Sequence, residues 1–236
     1  MSSVISTSFL QTGSESLNEL IYAEMEKFAA LLKLYGIKVK IDSPLAKAAW
    51  QQRPLEEKAR IIENFANSRR IYGEMHLAGV SLRDNKTMLA RSLERCGLVA
   101  KDDLIGAISD ITMVEIYNLD AVQLYRSINF FDYCNYSLLD LLAREWFVLY
   151  DRLPSITEAI LADVREALTT GRMFPYNVPH HIMRERDSNP RGIFHIQHHI
   201  CCPLYDLDGK PVGVVSSMHV REVDVMSAEE QNLAFI

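Results

Sequence analysis

The apolar positions of this chain change their rhythm near residue 108. Before it they recur at helical spacing; after it they alternate and cluster as strand positions do. In the first stretch Ile21, Met25, Phe28, Leu32 and Tyr35 follow one another at steps of 4, 3, 4 and 3. That seam predicts a helix opened by a Ser16/Glu19 capping box and closed near Gly36. Its apolar stripe could pack on its own chain or against a twin in a second subunit, which makes Ile21, Met25, Phe28 and Leu32 interface candidates. A second helix is predicted from Pro54 through LEEKARIIENFANSRRIYGEMHLAGV, with Leu55, Ile62, Phe65 and Tyr72 on one broad side and Gly73 weakening it locally. A third runs from about Asp84 to Arg95 and closes at Cys96-Gly97; a short one follows around Asp102 to Ile108.

Beyond residue 108 the runs ITMVEIYN (111–118) and AVQLYRSI (121–128) are rich in β-branched and aromatic residues and are separated by a Leu-Asp turn. Short helical pieces follow in NFFDYC and SLLDLLAREW, then a longer helix after Pro154 and the Ser155/Glu158 capping pair. Strand texture returns at MFPYNVPHHIM. After the polar turn RERDSNPRG come two long runs, IFHIQHHICCPLYD and PVGVVSSMHVREVD, and Asp208-Gly209 between them signals a hairpin. The expected architecture is α+β: an antiparallel sheet with flanking short helices over residues 109–225, preceded by a helical segment over 1–108. Ser227 and Glu230 make a further capping box with no stop signal before Ile236, so 226–236 is expected to open a helix leading to an output domain.

Composition narrows the classes. Of 236 residues 48% are hydrophobic and 24% charged, an ordinary globular balance. The net charge of −6 argues against a broad nucleic-acid or anionic-membrane surface, so nucleic acid would enter only through a further C-terminal domain. The N-terminus MSSVISTSFLQTGSES has no basic leader or apolar core, and no run approaches the ~20 apolar residues of a membrane span. Of the cysteines Cys96, Cys134, Cys201 and Cys202, the adjacent pair would point to opposite faces of a strand, which suits reduced thiols and a cytoplasmic protein.

The order strand, strand, short helices, one longer helix, then three strands ending in a hairpin resembles the PAS domain, a signal-sensing family. In SINFFDYCNYSLLDLLAREWFVLY, Asn129 and Phe130 follow the second strand, Tyr136 and Ser137 open a helix, and Leu139 and Leu142 are its core leucines. CPLYDLDGKPVGVVSSMHVREVD is similar to the closing PAS hairpin, and the resemblance covers about residues 110–225. Asn135 stands where a small residue is usual before Tyr-Ser, and asparagine enters left-handed conformations readily. Nothing after Trp146 matches the cysteine motif of flavin-binding members, and ITEAILADVREAL lacks the histidine that haem-binding members commonly place on that helix. Flavin and haem are therefore not expected, and the cofactor is left unnamed.

Five of the seven histidines lie between 180 and 199, so metal binding is weighed first. On a strand rising ~3.3 Å per residue His195 and His199 stand roughly 13 Å apart, too far to share one ion. Alternation places Phe194, Ile196, His198, Ile200 and Cys202 on one face and Ile193, His195, Gln197, His199 and Cys201 on the other. The first face should look inward. His198 is then either an ordinary core histidine bonded to a carbonyl or to a hydroxyl such as Ser216, or a polar fixture of a sensory pocket. Ser216 and Met218 share a face on the partner strand with Val212, Val214 and Val220, and Phe130, Phe131, Trp146 and Phe147 could supply the opposite wall. His195, Gln197 and His199 are too polar for deep burial. The PAS resemblance implies that such an outer face meets a flanking helix or a second subunit.

No phosphate loop, G-x-S-x-G or H-E-x-x-H motif is present. The function expected is a sensory module of a cytoplasmic bacterial signalling protein. It would bind a small ligand or partner, form a homodimer and relay to a C-terminal output. Met226-Ser227-Ala228-Glu229-Glu230 resembles the opening of a LuxR-type helix-turn-helix, which implies transcriptional regulation. The alternatives are a ligand-free PAS-type dimerisation module of a histidine kinase or cyclic-dinucleotide enzyme, and a hydrolase using a pair such as Cys201 with His219.

Overall fold

A computed structural model describes residues 14–223. Its helical part comprises α1 (Ser14–Leu34), α2 (Pro44–Gln52), α3 (Leu55–Leu77), α4 (Asn85–Cys96) and α5 (Leu104–Ala107). The seam residues Ile21, Met25, Phe28 and Leu32 are 0, 0, 2 and 0% exposed, all within one core. This corrects their candidacy as a subunit interface: the stripe is used up by α3 and the sheet of the same chain. Phe28 is the hub, with ring centroids 5.5 Å from Phe65, 5.2 Å from Tyr72 and 5.4 Å from Phe131. Ser16 already lies inside α1, so it is not the cap that its sequence setting predicted. Likewise Ser155 and Glu158 sit within α8 (Pro154–Thr170), which starts on Pro154.

The helix α2 escaped the sequence pattern because it buries just Ala46 and Trp50. It is held by local chemistry instead. The Ser43 side chain accepts from the Ala46 N–H, proline opens the first turn, and Ser43 Oγ donates to Asp140 Oδ1 at 2.9 Å. At the end of α4, Gly97 takes φ +64°, as the sequence predicted.

The second half forms β1 (Met113–Asn118), β2 (Gln123–Arg126), a 3₁₀ turn (Ile128–Asp132), α6 (Leu138–Ala143) and α7 (Trp146–Leu149). After them come β3 (Tyr150–Asp151), α8, β4 (Phe174–Pro175), β5 (His181–Glu185), β6 (Ile193–Tyr205) and β7 (Pro211–Glu222). The sheet is antiparallel in the order β2-β1-β7-β6-β5-β3, with β4 on β6. Asp206 Oδ1 accepts from the N–H groups of Asp208 and Lys210, and Gly209 at φ +81° closes the β6–β7 turn. The Ser227/Glu230 box and residues 226–236 lie outside the described residues.

One irregularity changes which side chains face where. The β6–β7 register slips between His198 and Ile200, so His199 is an extra residue. Simple alternation placed Ile200 and Cys202 with His198. The bulge turns them to the opposite face, where Cys202, Leu204 and Val215 join the core beneath the N-terminal helices. Cys201 takes the inner side and packs with α8. The core is continuous across residue 108: Leu17, Met25 and Tyr72 belong to the same cluster as Val114, Ile116 and Leu204.

Truncating Phe28 to alanine should remove the aromatic hub and destabilise the chain by about 3–5 kcal/mol. Urea unfolding of Phe28→Ala reads this directly; a loss below 1 kcal/mol would show that the α1 seam is dispensable.

Candidate functional site

Alternation on β1 sends Val114 and Ile116 toward the helices and Met113, Glu115 and Tyr117 toward the other face. There, between the sheet, the 3₁₀ turn and α8, lies a cavity of about 210 Å³. Its walls are mostly apolar: Met113, Phe130, Phe194, Ile196, Met218 and Val220 on one side, and Ile160, Leu161 and Val164 of α8 on another.

Its polar groups fall into three sets. Glu115 and Arg126, cross-strand partners, form an ion pair at 2.9 Å with side chains 8 and 10% exposed. Tyr117 OH and Gln123 Nε2 each donate to the Glu115 carboxylate at 3.0 Å, and the Arg126 guanidinium lies 3.6 Å from the Phe130 ring centroid. Burial pulls the Arg126 pKa down, but the Glu115 charge acting together with Tyr117, Tyr150 and Cys134 outweighs it, and the net shift is upward. A second set joins Tyr176, whose hydroxyl donates to Ser216 Oγ at 3.1 Å, to His198, whose ring lies 4.9 Å away.

The third set is unsatisfied. Both nitrogens of His198 are inaccessible and without a hydrogen-bond partner, although the ring itself borders the cavity. His181 stacks behind it at 5.5 Å and keeps its Nδ1 3.1 Å from the Pro179 carbonyl oxygen. Arg152, between β3 and α8, lies with its guanidinium 4.8 Å from the Trp146 ring centroid and its buried Nε unpartnered. Burial pushes His198 down to about 3 and His181 to about 4, each helped by the Arg152 charge. Burial also lowers Arg152.

The structure brings together five of the six predicted pocket residues: His198, Ser216, Met218, Phe130 and Trp146. Phe147 is the exception and is corrected. It is 50% exposed and borders a second hollow, of about 270 Å³, near α3 and β2, because one helical step turns a side chain roughly 100° from Trp146. The Ser216–His198 bond considered for an ordinary core histidine is not formed; Tyr176 holds Ser216 instead. The Cys201/His219 pair is also corrected: Cys201 faces α8, its thiol pushed up to about 11 by burial. His219 lies on the other face, 4.1 Å from the His199 ring. His195, Gln197 and His199 are half-buried on the sheet face away from the cavity. Among the described residues no three His, Cys, Asp or Glu side chains are placed to hold a metal ion. Sequence reasoning missed Glu115, Arg126 and Arg152; the signal for the first two was a charge at an inward position of an otherwise apolar strand.

Two strands at one sheet edge, short helices, a crossover helix and a returning set ending with β7 beside β1 make the element order that the sequence resemblance implied. The architecture is α+β and PAS-like. No family model and no curated protein matches the chain. Among solved structures it is similar to the PAS domain of a protein from Colwellia psychrerythraea, at 17% identity over 48% of this chain and 86% of that one, TM-score 0.34. It is also similar to the light-state dimer of the fungal blue-light photoreceptor Vivid, at 14% identity over 50% of this chain and 82% of that one, TM-score 0.32. A third, an RNA-binding light-oxygen-voltage receptor, is 14% identical over 94% of this chain and 64% of that one, TM-score 0.33. No described helix of this PAS-like chain is long and apolar enough to cross a membrane.

The depressed histidines set a pH dependence. Above pH 6.5 they are neutral folded or unfolded and their contribution to stability is complete. Between 6.5 and about 4 the unfolded chain takes up protons that buried His181 and His198 refuse, so stability falls as the pH falls. Each contributes a slope of roughly 1.4 kcal/mol per pH unit inside that window. Urea midpoints at pH 7.5 and 5.0 should show the loss, and His198→Gln should remove about one histidine's share. Separately, Arg126→Met leaves Glu115 buried and unpaired and should cost about 3–5 kcal/mol, read from the same unfolding curves at pH 7.5.

Proposed function

We propose that this chain is the sensory module of a bacterial cytoplasmic signalling protein whose PAS-like unit, residues 109–225, holds a small ligand and relays its binding. The observation that carries this reading is the cavity itself, an apolar space with a few convergent polar groups, some of them without partners. Such hollows are where small molecules are recognised. A dimerisation module without a ligand would sooner fill this space with side chains.

A relay needs two arrangements that the ligand distinguishes. Packing offers a route from the cavity wall to the N-terminal helices: Arg126 lies over Phe130, Phe130 is 5.3 Å from Phe131, and Phe131 is 5.4 Å from Phe28 of α1. The Tyr72 hydroxyl of α3 also donates to the Arg126 carbonyl oxygen. A ligand that shifts Arg126 would therefore press on both helices. The output in this proposal is transcriptional, supported by the LuxR-like text at Met226–Glu230, and the chain acts as a homodimer through the strip of His195, Gln197 and His199.

Native mass spectrometry of the purified chain against its denatured mass tests the central claim. A non-covalent adduct of a few hundred daltons, lost in Met218→Trp, is the expected result. A bare protein that also fails to bind any small molecule in a thermal-shift library screen would return the cavity to ordinary core.

A further inference from the structure

We infer that the ligand of this cavity, taken as the sensory site proposed above, is an organic carboxylate with an apolar body, its acid group seated between Arg152 and His198.

The argument starts from charge balance. Two arginines border the cavity, and they are not equivalent. Arg126 is matched by Glu115 at 2.9 Å, and that carboxylate also accepts from Tyr117 and Gln123. Arg152 has no such partner: among the described residues no carboxylate pairs with it, its Nε is buried and unbonded, and it leans on the Trp146 ring. A half-buried cation without a counter-charge is held at a cost, which falls when an anion is supplied. His198 borders the same cavity, with both ring nitrogens buried and unsatisfied. A neutral imidazole has one N–H to give and one lone pair to receive. Arg152 can then hold a carboxylate while the His198 N–H donates to it. No other charged side chain bordering the cavity competes for this place, because Glu185 is occupied by Asn135, Ser188 and the Gly192 N–H.

The remaining volume sets the body of the ligand. The walls beyond His198 are Phe194, Ile196, Met218 and Val220, with Ile160 and Val164 facing them. A dry cavity of ~150 Å³ accepts a benzene ring, so about 210 Å³ suits an aromatic or short-chain acid of roughly ten non-hydrogen atoms. A sugar acid or dicarboxylate would leave polar groups against these apolar walls and is disfavoured.

The experiment uses the whole chain with four probes, phenylacetate and octanoate against phenylacetamide and octanol, in isothermal titration. The acids should bind at least roughly tenfold more tightly than the neutral analogues, since a charge-assisted contact is lost with the charge. Arg152→Gln should abolish that preference while leaving the neutral probes within about twofold, and Arg152→Lys should restore part of it. Met218→Trp, which fills the apolar end, should weaken both classes. If acids and neutral analogues bind equally, or Arg152→Gln leaves the acid preference intact, the carboxylate seat is overturned and the sensory cavity stands. If neither class binds at millimolar concentration, the carboxylate seat is overturned, and the sensory cavity falls with it only if the native mass is bare and the library screen is also empty.

Discussion

The slip in register between His198 and Ile200 is the constraint on which the rest of the molecule turns. A strand with strict alternation would put Cys202 and Ile200 on the same side as His198. One extra residue lets a single strand serve two different neighbours, because the side-chain period is 2 and an inserted residue reverses it. Upstream of the bulge the inward positions Phe194, Ile196 and His198 border the cavity; downstream, the opposite positions Cys202 and Leu204 enter the core under the helices. The half of the strand that lines the pocket and the half that anchors the N-terminal segment are thereby set independently.

The two faces of the sheet carry different kinds of stability. On the helical side, apolar burial and the Phe28 aromatic cluster do the holding, and water-facing charge is kept to the rim. On the cavity side, charges are sunk into low-dielectric surroundings, where a matched pair such as Glu115–Arg126 is tolerated and an unmatched group is not. Arg152 and His198 are unmatched, and both border the cavity, so the unsatisfied chemistry of this face is concentrated along its wall. Burial of His198 and His181, reinforced by the Arg152 charge, is the reason acid is expected to weaken the fold.

The helical segment and the sheet are joined by more than apolar packing. The N–H groups of Leu138 and Leu139 donate to the carbonyls of Lys40 and Ile41, Ser43 donates to Asp140, and Val99 bridges Tyr205. These contacts tie the chain before α2 to the start of α6, and the end of α4 to the hairpin. An event in the cavity therefore meets a wall that is already part of the helical layer.

The sequence alone determined the element types: the 4-3-4-3 seam of α1, the left-handed stop at Gly97 and the Asp208-Gly209 hairpin are local properties, set by side-chain periodicity and backbone freedom. It also determined part of the pocket wall, since His198 follows from alternation within β6, and Ser216 and Met218 from alternation within β7. Three things were decided in the tertiary structure. The bulge at His199 depends on how β6 pairs with β7, and no residue type announces it. Whether the α1 seam meets its own chain or a twin depends on what surface α3 and the sheet present. The isolation of Arg152 is a statement about which carboxylates are near it in space, a long-range fact that neighbours in sequence do not carry.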